Sequence, residues 1–301
     1  MKKRQLGTSD LFVSELGLGC MSLGTDKEQA ESIIDAALYE GINYFDTADL
    51  YDFGLNEEFV GDALKKRRQD LILATKAGNR WNENKDGWTW DPSKAYIKEA
   101  VKHSLKRLQT DYIDLYQLHG GTIEDNIDET IEAFEDLKKE GVIRYYGISS
   151  IRPNVIKQYL EKSSIVSVMM QYSLLDRRPE EWFSLLNDQN VSVIGRGPLA
   201  KGLLTDKWES KLSEKGYLSY SEDELLHLLP SIDAETDLTL TETAVQYSLK
   251  QAVVGSIIPG ASKIEQVQAN CRALNARPLS GEEYIALQAL TKFEKYEQHR
   301  S

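Results

Sequence analysis

Short apolar runs alternate along the chain with longer stretches whose apolar residues recur at helical spacing. About eight runs read as buried parallel strands: 16–19, 44–45, 71–75, 113–118, 143–148, 166–171, 191–195 and 253–258. Between them, Thr25-Asp26-Lys27-Glu28 has the T-x-x-E form of a capping box ahead of the stripe Ile33, Ile34, Ala37 and Leu38. Asp91-Pro92 offers an N-cap and a first-turn proline before Ile97, Val101, Leu105 and Leu108. A third helix spans 127–140, with Gly141 as its left-handed stop. Ahead of all of them, 3–13 alternates around Gly7-Thr8-Ser9-Asp10 and reads as a hairpin.

This alternation predicts an α/β fold with a parallel sheet covered by helices. About eight such units in 301 residues fit a closed (β/α)8 TIM barrel better than an open doubly wound sheet. An open dinucleotide-binding sheet carries GxGxxG after its first strand. Here that strand runs into Gly17-Leu18-Gly19-Cys20-Met21-Ser22-Leu23-Gly24, which is glycine-rich but does not match. No repeat or Pro/Ser-rich linker divides the chain, so 1–301 reads as one domain. The stretch 205–241 is long for a βα loop and reads as a lid or a small subdomain.

Composition narrows the partners. The chain has 36 Lys and Arg against 48 Asp and Glu, a net charge of −12. Such an acidic chain is a poor ligand for nucleic acid, although one local basic pocket for a small phosphorylated ligand is compatible with it. Cys20 and Cys271 stand far apart, with no metal-ligand spacing around them. Met1-Lys2-Lys3-Arg4 is followed by polar, turn-forming residues, and no run is apolar enough to span a membrane. The expectation is a cytoplasmic protein, a monomer or weak homo-oligomer, that acts on a small molecule.

In a barrel the chemistry sits at the C-terminal strand ends. The second strand runs into Asp46 and then Tyr51, the third ends at Lys76 and the fourth at His119. Taken singly, each has an ordinary explanation as cap, solvated cation, core histidine or packing ring. Their placement on one rim does not follow from those roles. A phenol is a poor acid at neutral pH. A lysine ammonium beside it favours the phenolate, and an aspartate beside the lysine keeps the lysine charged. A histidine can donate to a carbonyl or relay a proton. The set holds no strong nucleophile and no ligand set for a metal. It is a proton-donating site facing a carbonyl and needs hydride from a nicotinamide.

These residues carry a resemblance to the aldo-keto reductases. It rests on Asp46-Thr47-Ala48-Asp49-Leu50-Tyr51, on Lys76 and on Asp111-Tyr112-Ile113-Asp114-Leu115-Tyr116-Gln117-Leu118-His119. It extends to Gly147-Ile148-Ser149, Gln171 and Ile258-Pro259-Gly260-Ala261-Ser262. The resemblance covers nearly the whole chain and implies that the N-terminal hairpin plugs the bottom of the barrel. It implies Asp46, Tyr51, Lys76 and His119 as catalytic residues, and NADPH/NADP+ bound in extended form. Gly19, Cys20, Met21 and Asp46 would contact that cofactor, as would Gly260. Ser149 and Gln171 would hold the carboxamide, while Ser150 replaces the family's Asn.

After the seventh strand, Arg196-Gly197-Pro198-Leu199 stands where the family often has Tyr-Ser-Pro-Leu. Gly197, Leu199 and Gly202 can offer backbone N–H groups to the pyrophosphate. Arg196 could lie flat on the nicotinamide, reach a phosphate or an acidic substrate, or be a solvated surface residue. Ser262-Lys263-Ile264-Glu265 reads as a capping box, with Ser262 and Lys263 taking the 2′-phosphate and Gln266 and Asn270 the adenine end. The loop 78–90 holds three tryptophans; Trp81 is the candidate for the carbonyl substrate, beside Tyr51 and His119, whereas Trp88 and Trp90 are as readily an outer aromatic cluster. A second class of function is a cofactor-binding accessory or redox-sensing subunit of the same fold, with little turnover.

Overall fold

The computed structural model describes residues 1–300. An antiparallel hairpin comes first, β1 (Lys3–Gln5) and β2 (Phe12–Ser14). The parallel strands β3 (Leu18–Gly19), β4 (Tyr44–Asp46) and β5 (Ile72–Ala77) follow. A second hairpin, β6 (Asn79–Trp81) and β7 (Trp88–Trp90), stands on the rim. The parallel series then continues with β8 (Ile113–Leu118), β9 (Ile143–Ser149), β10 (Ser167–Gln171), β11 (Ser192–Arg196) and β12 (Val254–Ile258). Each strand of this series pairs with the next, and parallel bridges from Leu16 to Ile257 and from Gly19 to Gly260 join its two edges. The result is the expected (β/α)8 barrel.

The crossovers are α1 (Lys27–Tyr39), α2 (Leu55–Leu64), α3 (Lys94–Leu108), α4 (Ile127–Lys139), α5 (Pro153–Lys162) and α6 (Phe183–Asp188). Within 205–241 lies an additional helix, α7 (Glu222–Asp233). The alternation then resumes with α8 (Leu240–Leu249) and α9 (Ile264–Leu274), and α10 (Gly281–Leu290) packs outside it.

Three helix starts differ from the sequence expectation. α1 is capped by Asp26, not Thr25: the Asp26 carboxylate accepts from the Gln29 N–H at 2.9 Å, and a carboxylate is the stronger acceptor at a helix start. α3 is capped by Ser93 rather than Asp91: the Ser93 hydroxyl accepts the Tyr96 N–H at 3.2 Å, while the Asp91 carboxylate accepts the Ser93 N–H at 3.2 Å, just outside the helix. At α9 the expected Ser262 and Glu265 box does not form. Lys263 is the N-cap with no side-chain cap bond, and Gln266 Oε1 accepts both the Ser262 N–H (2.7 Å) and its hydroxyl.

The barrel floor is built by the first hairpin. Leu6, Leu11 and Val13 are fully buried against Tyr44, Ile72, Leu115, Val166, Met169 and Ile194. Each such side chain contributes about 1.5–3 kcal/mol of burial. Gly7 (φ 53°) makes the turn, where a Cβ would lie 2.5 Å from the Val166 carbonyl oxygen. Arg4 ties the hairpin to the last unit through the carbonyls of Leu249 (2.9 Å) and Val254 (2.8 Å) and through Glu15 (2.7 Å).

On the outside, α2 crosses α3 so closely that a Cβ on Gly61 would lie 2.6 Å from the Arg107 carbonyl oxygen. That approach sets where α2 delivers its first turn behind the strand ends. Gly61→Ala is expected to cost about 1–3 kcal/mol through overpacking, read as a lower urea midpoint at unchanged slope. An unchanged midpoint would mean that the helices separate freely.

Candidate active site

Strand alternation sets a polar layer on the apolar floor. Tyr44, Ala74 and Leu115 face the interior, and two residues further along the same strands come Asp46, Lys76 and Gln117. All three are buried, Lys76 to 1% exposure. Lys76 Nζ donates to Asp46 Oδ1 at 2.5 Å, to the Thr47 carbonyl at 2.7 Å and to the Tyr51 hydroxyl at 3.2 Å. Burial opposes the charge on Lys76, but the Asp46 carboxylate outweighs it and holds the ammonium above its usual pKa. Gln117 Nε2 donates to the other oxygen of Asp46 at 3.1 Å.

Tyr51 opens a tight turn after β4. The next three residues, Asp52, Phe53 and Gly54, have φ of 48°, 52° and 90°. Two non-glycine residues in the left-handed region store strain beside the phenol. His119 directly follows β8, and its ring lies edge-on to Tyr51 at 5.9 Å. Its N–H donates to the Ala77 carbonyl and its carbonyl accepts from Asn79 Nδ2. Burial, then the nearby Lys76 and Arg196 cations, push the imidazole down to about 3, so the ring is neutral. Its buried Nδ1 has no partner among the described residues.

Over this layer opens a cavity of about 480 Å³. Its walls are Leu50, Trp88, Trp90, Ile151 and Met169, with Asn79, His119, Ser149, Ser150, Arg152 and Arg196 as the polar members. The tryptophans at 88 and 90 thus line the cavity instead of forming an outer cluster. Trp90 lies over Gly78 and Gly120, where a Cβ would come within 2.7 and 3.1 Å of its ring, and donates to Asp125 at 2.8 Å. Trp81 packs edge-on to Phe53 at 6.0 Å, beside the Tyr51 turn.

The residues expected to touch a cofactor fall in two groups. Ser149, Gln171 and Arg196 are neighbours at the ends of β9, β10 and β11. The Gln171 amide donates to Asp176 (2.9 Å) and Tyr217 (3.3 Å) and accepts from Arg196 (3.0 Å). Gly197 (φ 67°) is open, since a Cβ would meet only Gln171 Cγ at 3.8 Å. Leu199 is half-buried and its carbonyl accepts the Gly202 N–H at 2.8 Å, so that donor is taken within the loop. The second group lies at the barrel seam. Gly19 and Gly260 pair with each other, Cys20 is buried and Met21 is exposed. Lys263 and Gln266 are exposed at the start of α9, while Asn270 is buried one turn further on. An exposed lysine, an exposed arginine and an open glycine backbone along one rim fit an extended anionic cofactor.

Sequence reasoning did not single out Gln117, Asn79, Asp176 or Arg152. For Gln117 a signal exists: it stands two residues after Leu115 and two before His119, in the alternation that faces the barrel interior.

Comparison with known proteins agrees with this geometry. A model of the Aldo/keto reductase family matches residues 15–292. The chain is 65% identical, over 100% of both chains, to the uncharacterized oxidoreductase YqkF of Bacillus subtilis (strain 168). It is 33% identical to the NADH-specific methylglyoxal reductase of Escherichia coli (strain K12), with 91% of this chain and 94% of that one covered. Among solved structures it is similar to the holo form of the aldo-keto reductase AKR11C1 from Bacillus halodurans, at 65% identity, a TM-score of 0.97 and 100% coverage of both.

The neutral imidazole has a measurable consequence. An exposed histidine gains its proton near pH 6.5, whereas His119 in the folded chain stays neutral down to about 3. The unfolded state therefore binds the extra proton first, and this residue's contribution to stability is lost as pH falls through that window. The His119 ring-proton NMR shift should stay constant between about pH 5 and 8. A titration within that range would contradict the neutral assignment.

Proposed function

Since the chain belongs to the aldo/keto reductase family of nicotinamide-dependent oxidoreductases, we propose that it reduces aldehydes or ketones to alcohols with NADPH, Tyr51 being the general acid. The observation that carries this reading is the Lys76 ammonium, buried and shared between Asp46 and the Tyr51 hydroxyl. When bound, the nicotinamide supplies the hydride that adds to the carbonyl carbon. The Tyr51 hydroxyl gives its proton to the carbonyl oxygen. Lys76 stabilises the phenolate left behind, and Asp46, held by Gln117, keeps Lys76 charged and in place. Neutral His119 donates a hydrogen bond that orients the carbonyl oxygen. Leu50, Trp88 and Trp90 exclude water and shape the entrance for the substrate's carbon skeleton, with Trp81 supporting the Tyr51 turn from behind.

Ser149 and Gln171 would hold the carboxamide, and Gln171 must then exchange one of its present partners. Arg196 would lie against the nicotinamide and Gly197 under the pyrophosphate. Lys263, with the free N–H groups at the start of α9, would take a 2′-phosphate. No carboxylate is assigned to a bare ribose diol, which favours NADPH over NADH.

Two measurements test this reading. Tyr51→Phe should keep NADPH binding, followed by fluorescence, yet lose carbonyl reduction at least about 100-fold, as removal of a general acid does; near-normal turnover in the variant would remove Tyr51 from that role. For the coenzyme, wild type should show the higher kcat/KM with NADPH. Lys263→Ala should erode that preference roughly 1.5- to 5-fold, the range of one exposed charge contact. Equal use of both coenzymes by wild type, or an unaltered ratio in the variant, would place the phosphate elsewhere.

A further inference from the structure

Behind the strand ends lies a second cluster of ionisable groups that the reaction above does not use. Asp49 is 1% exposed. Its Oδ2 lies 3.4 Å from the Tyr96 hydroxyl, and its Oδ1 has no hydrogen-bond partner among the described residues. Glu57, in the first turn of α2, is fully buried. It accepts from the Thr75 hydroxyl at 2.6 Å and from Arg107 Nε at 2.7 Å.

Asp49 is faced by Glu57 from α2, by Tyr96 and Arg107 from α3, and by the buried phenol of Tyr116 from β8. Arg80 lies over the Tyr96 ring at 5.4 Å and is paired with Asp91. Lys76 is directed away, to Asp46. Two buried carboxyl groups thus share one guanidinium, and Glu57 already holds it. With both ionised, a negative charge would be left out of water without a partner. A proton kept on one of them removes that charge, as where two carboxylates share a site. Burial and the neighbouring Glu57 push the Asp49 carboxyl up to about 8.

The cluster brackets the turn that carries Tyr51. At its start, the Asp49 N–H donates to the Lys76 carbonyl at 3.2 Å. At its end, Gly54 rests on Arg107, so closely that a Cβ would lie 2.7 Å from Arg107 Cδ. Between these anchors sit the strained Asp52 and Phe53. We infer that Asp49 is a positioning residue held in its protonated form at the start of the Tyr51 turn, and that its ionisation leaves a second, unpaired carboxylate buried beside Glu57, which displaces the turn and slows hydride-coupled proton transfer. The inference rests on the carbonyl-reductase reading and adds to it a residue whose ionisation slows the reaction on the alkaline side.

An aspartate in the unfolded chain ionises near pH 4, and this one in the folded chain near 8, as burial and Glu57 dictate. Across that window the folded state holds a proton the unfolded state lacks, so stability falls as pH rises and levels off above it.

The test is the single-turnover rate of NADPH-dependent aldehyde reduction, with KM, from about pH 6 to 9.5 in wild type and in Asp49→Asn, whose amide cannot ionise. The ratio of the rate at pH 9 to that at pH 7 should be at least about threefold higher in the variant, with KM for the aldehyde little changed in either. Identical ratios would overturn the inference. The infrared spectrum of the wild type provides a second readout should the variant fail to fold. A protonated-carboxyl C=O band should be present at neutral pH and vanish in step with the rate, and absence of that band would also overturn it. If wild type reduces no aldehyde, the reductase reading fails and the positioning role falls with it; a titrating band would then mark Asp49 as a buried neutral acid of structural importance alone.

Discussion

A buried ammonium must be ringed with oxygen, and much of this molecule follows from where Lys76 sits. Its three acceptors come from β4 and from the turn after it, so β4 and β5 must keep their register at the rim. The third strand in contact, β8, supplies Gln117 to the far side of Asp46. Removing one partner of such a pair leaves an uncompensated charge, at a cost of about 3–5 kcal/mol. The same fixed charge gives the strained turn at Asp52 and Phe53 its tolerance, because the Tyr51 hydroxyl is one of the ammonium's contacts and the turn is anchored at both ends.

The apolar floor is the complement of that polar layer. Strand alternation has a period of two, so a chain that places Asp46, Lys76 and Gln117 at the top must place Tyr44, Ala74 and Leu115 one step below. The hollow beneath them would be open without the first hairpin, whose Leu6, Leu11 and Val13 fill it. Plug, floor and ion pair are thus successive layers of one packing problem. On the other side of the rim, Gln171 joins Arg196, Asp176 and the hydroxyl of Tyr217. That links the segment 205–241 to the ends of β10 and β11.

The strands were legible because parallel strands covered on both faces are written as continuous apolar runs. The observed bounds differ from the runs by one or two residues, as at 71–75 against Ile72–Ala77. Asp46, Lys76 and His119 could be singled out because each stands at the end of such a run, and Tyr51 because it opens the turn five residues after Asp46. Helix starts were not, since Thr25, Asp26, Asp91 and Ser93 are all able to cap and only the folded backbone decides which of them reaches an N–H of the first turn. Asn79 and Asp176 escaped notice for a different reason. Each acts on a residue far away or across a loop, and only the folded rim makes them neighbours. The cavity-facing Trp90 belongs to the same class: its direction depends on the glycines at 78 and 120, which leave room for its ring.

The seam of the barrel has a consequence for how the chain is made. Arg4 is held by the carbonyls of Leu249 and Val254, and Leu16 and Gly19 bridge to Ile257 and Gly260. Residues 4–19 therefore have to wait for 249–260 before the seam can close. During synthesis the amino-terminal strand is an open edge and its hairpin an uncovered apolar wedge, which are the features that recruit aggregation and chaperones. Contacts this remote in sequence raise the contact order and slow ring closure. The growing chain can build its internal βα units early, but it becomes a barrel only when β12 has emerged.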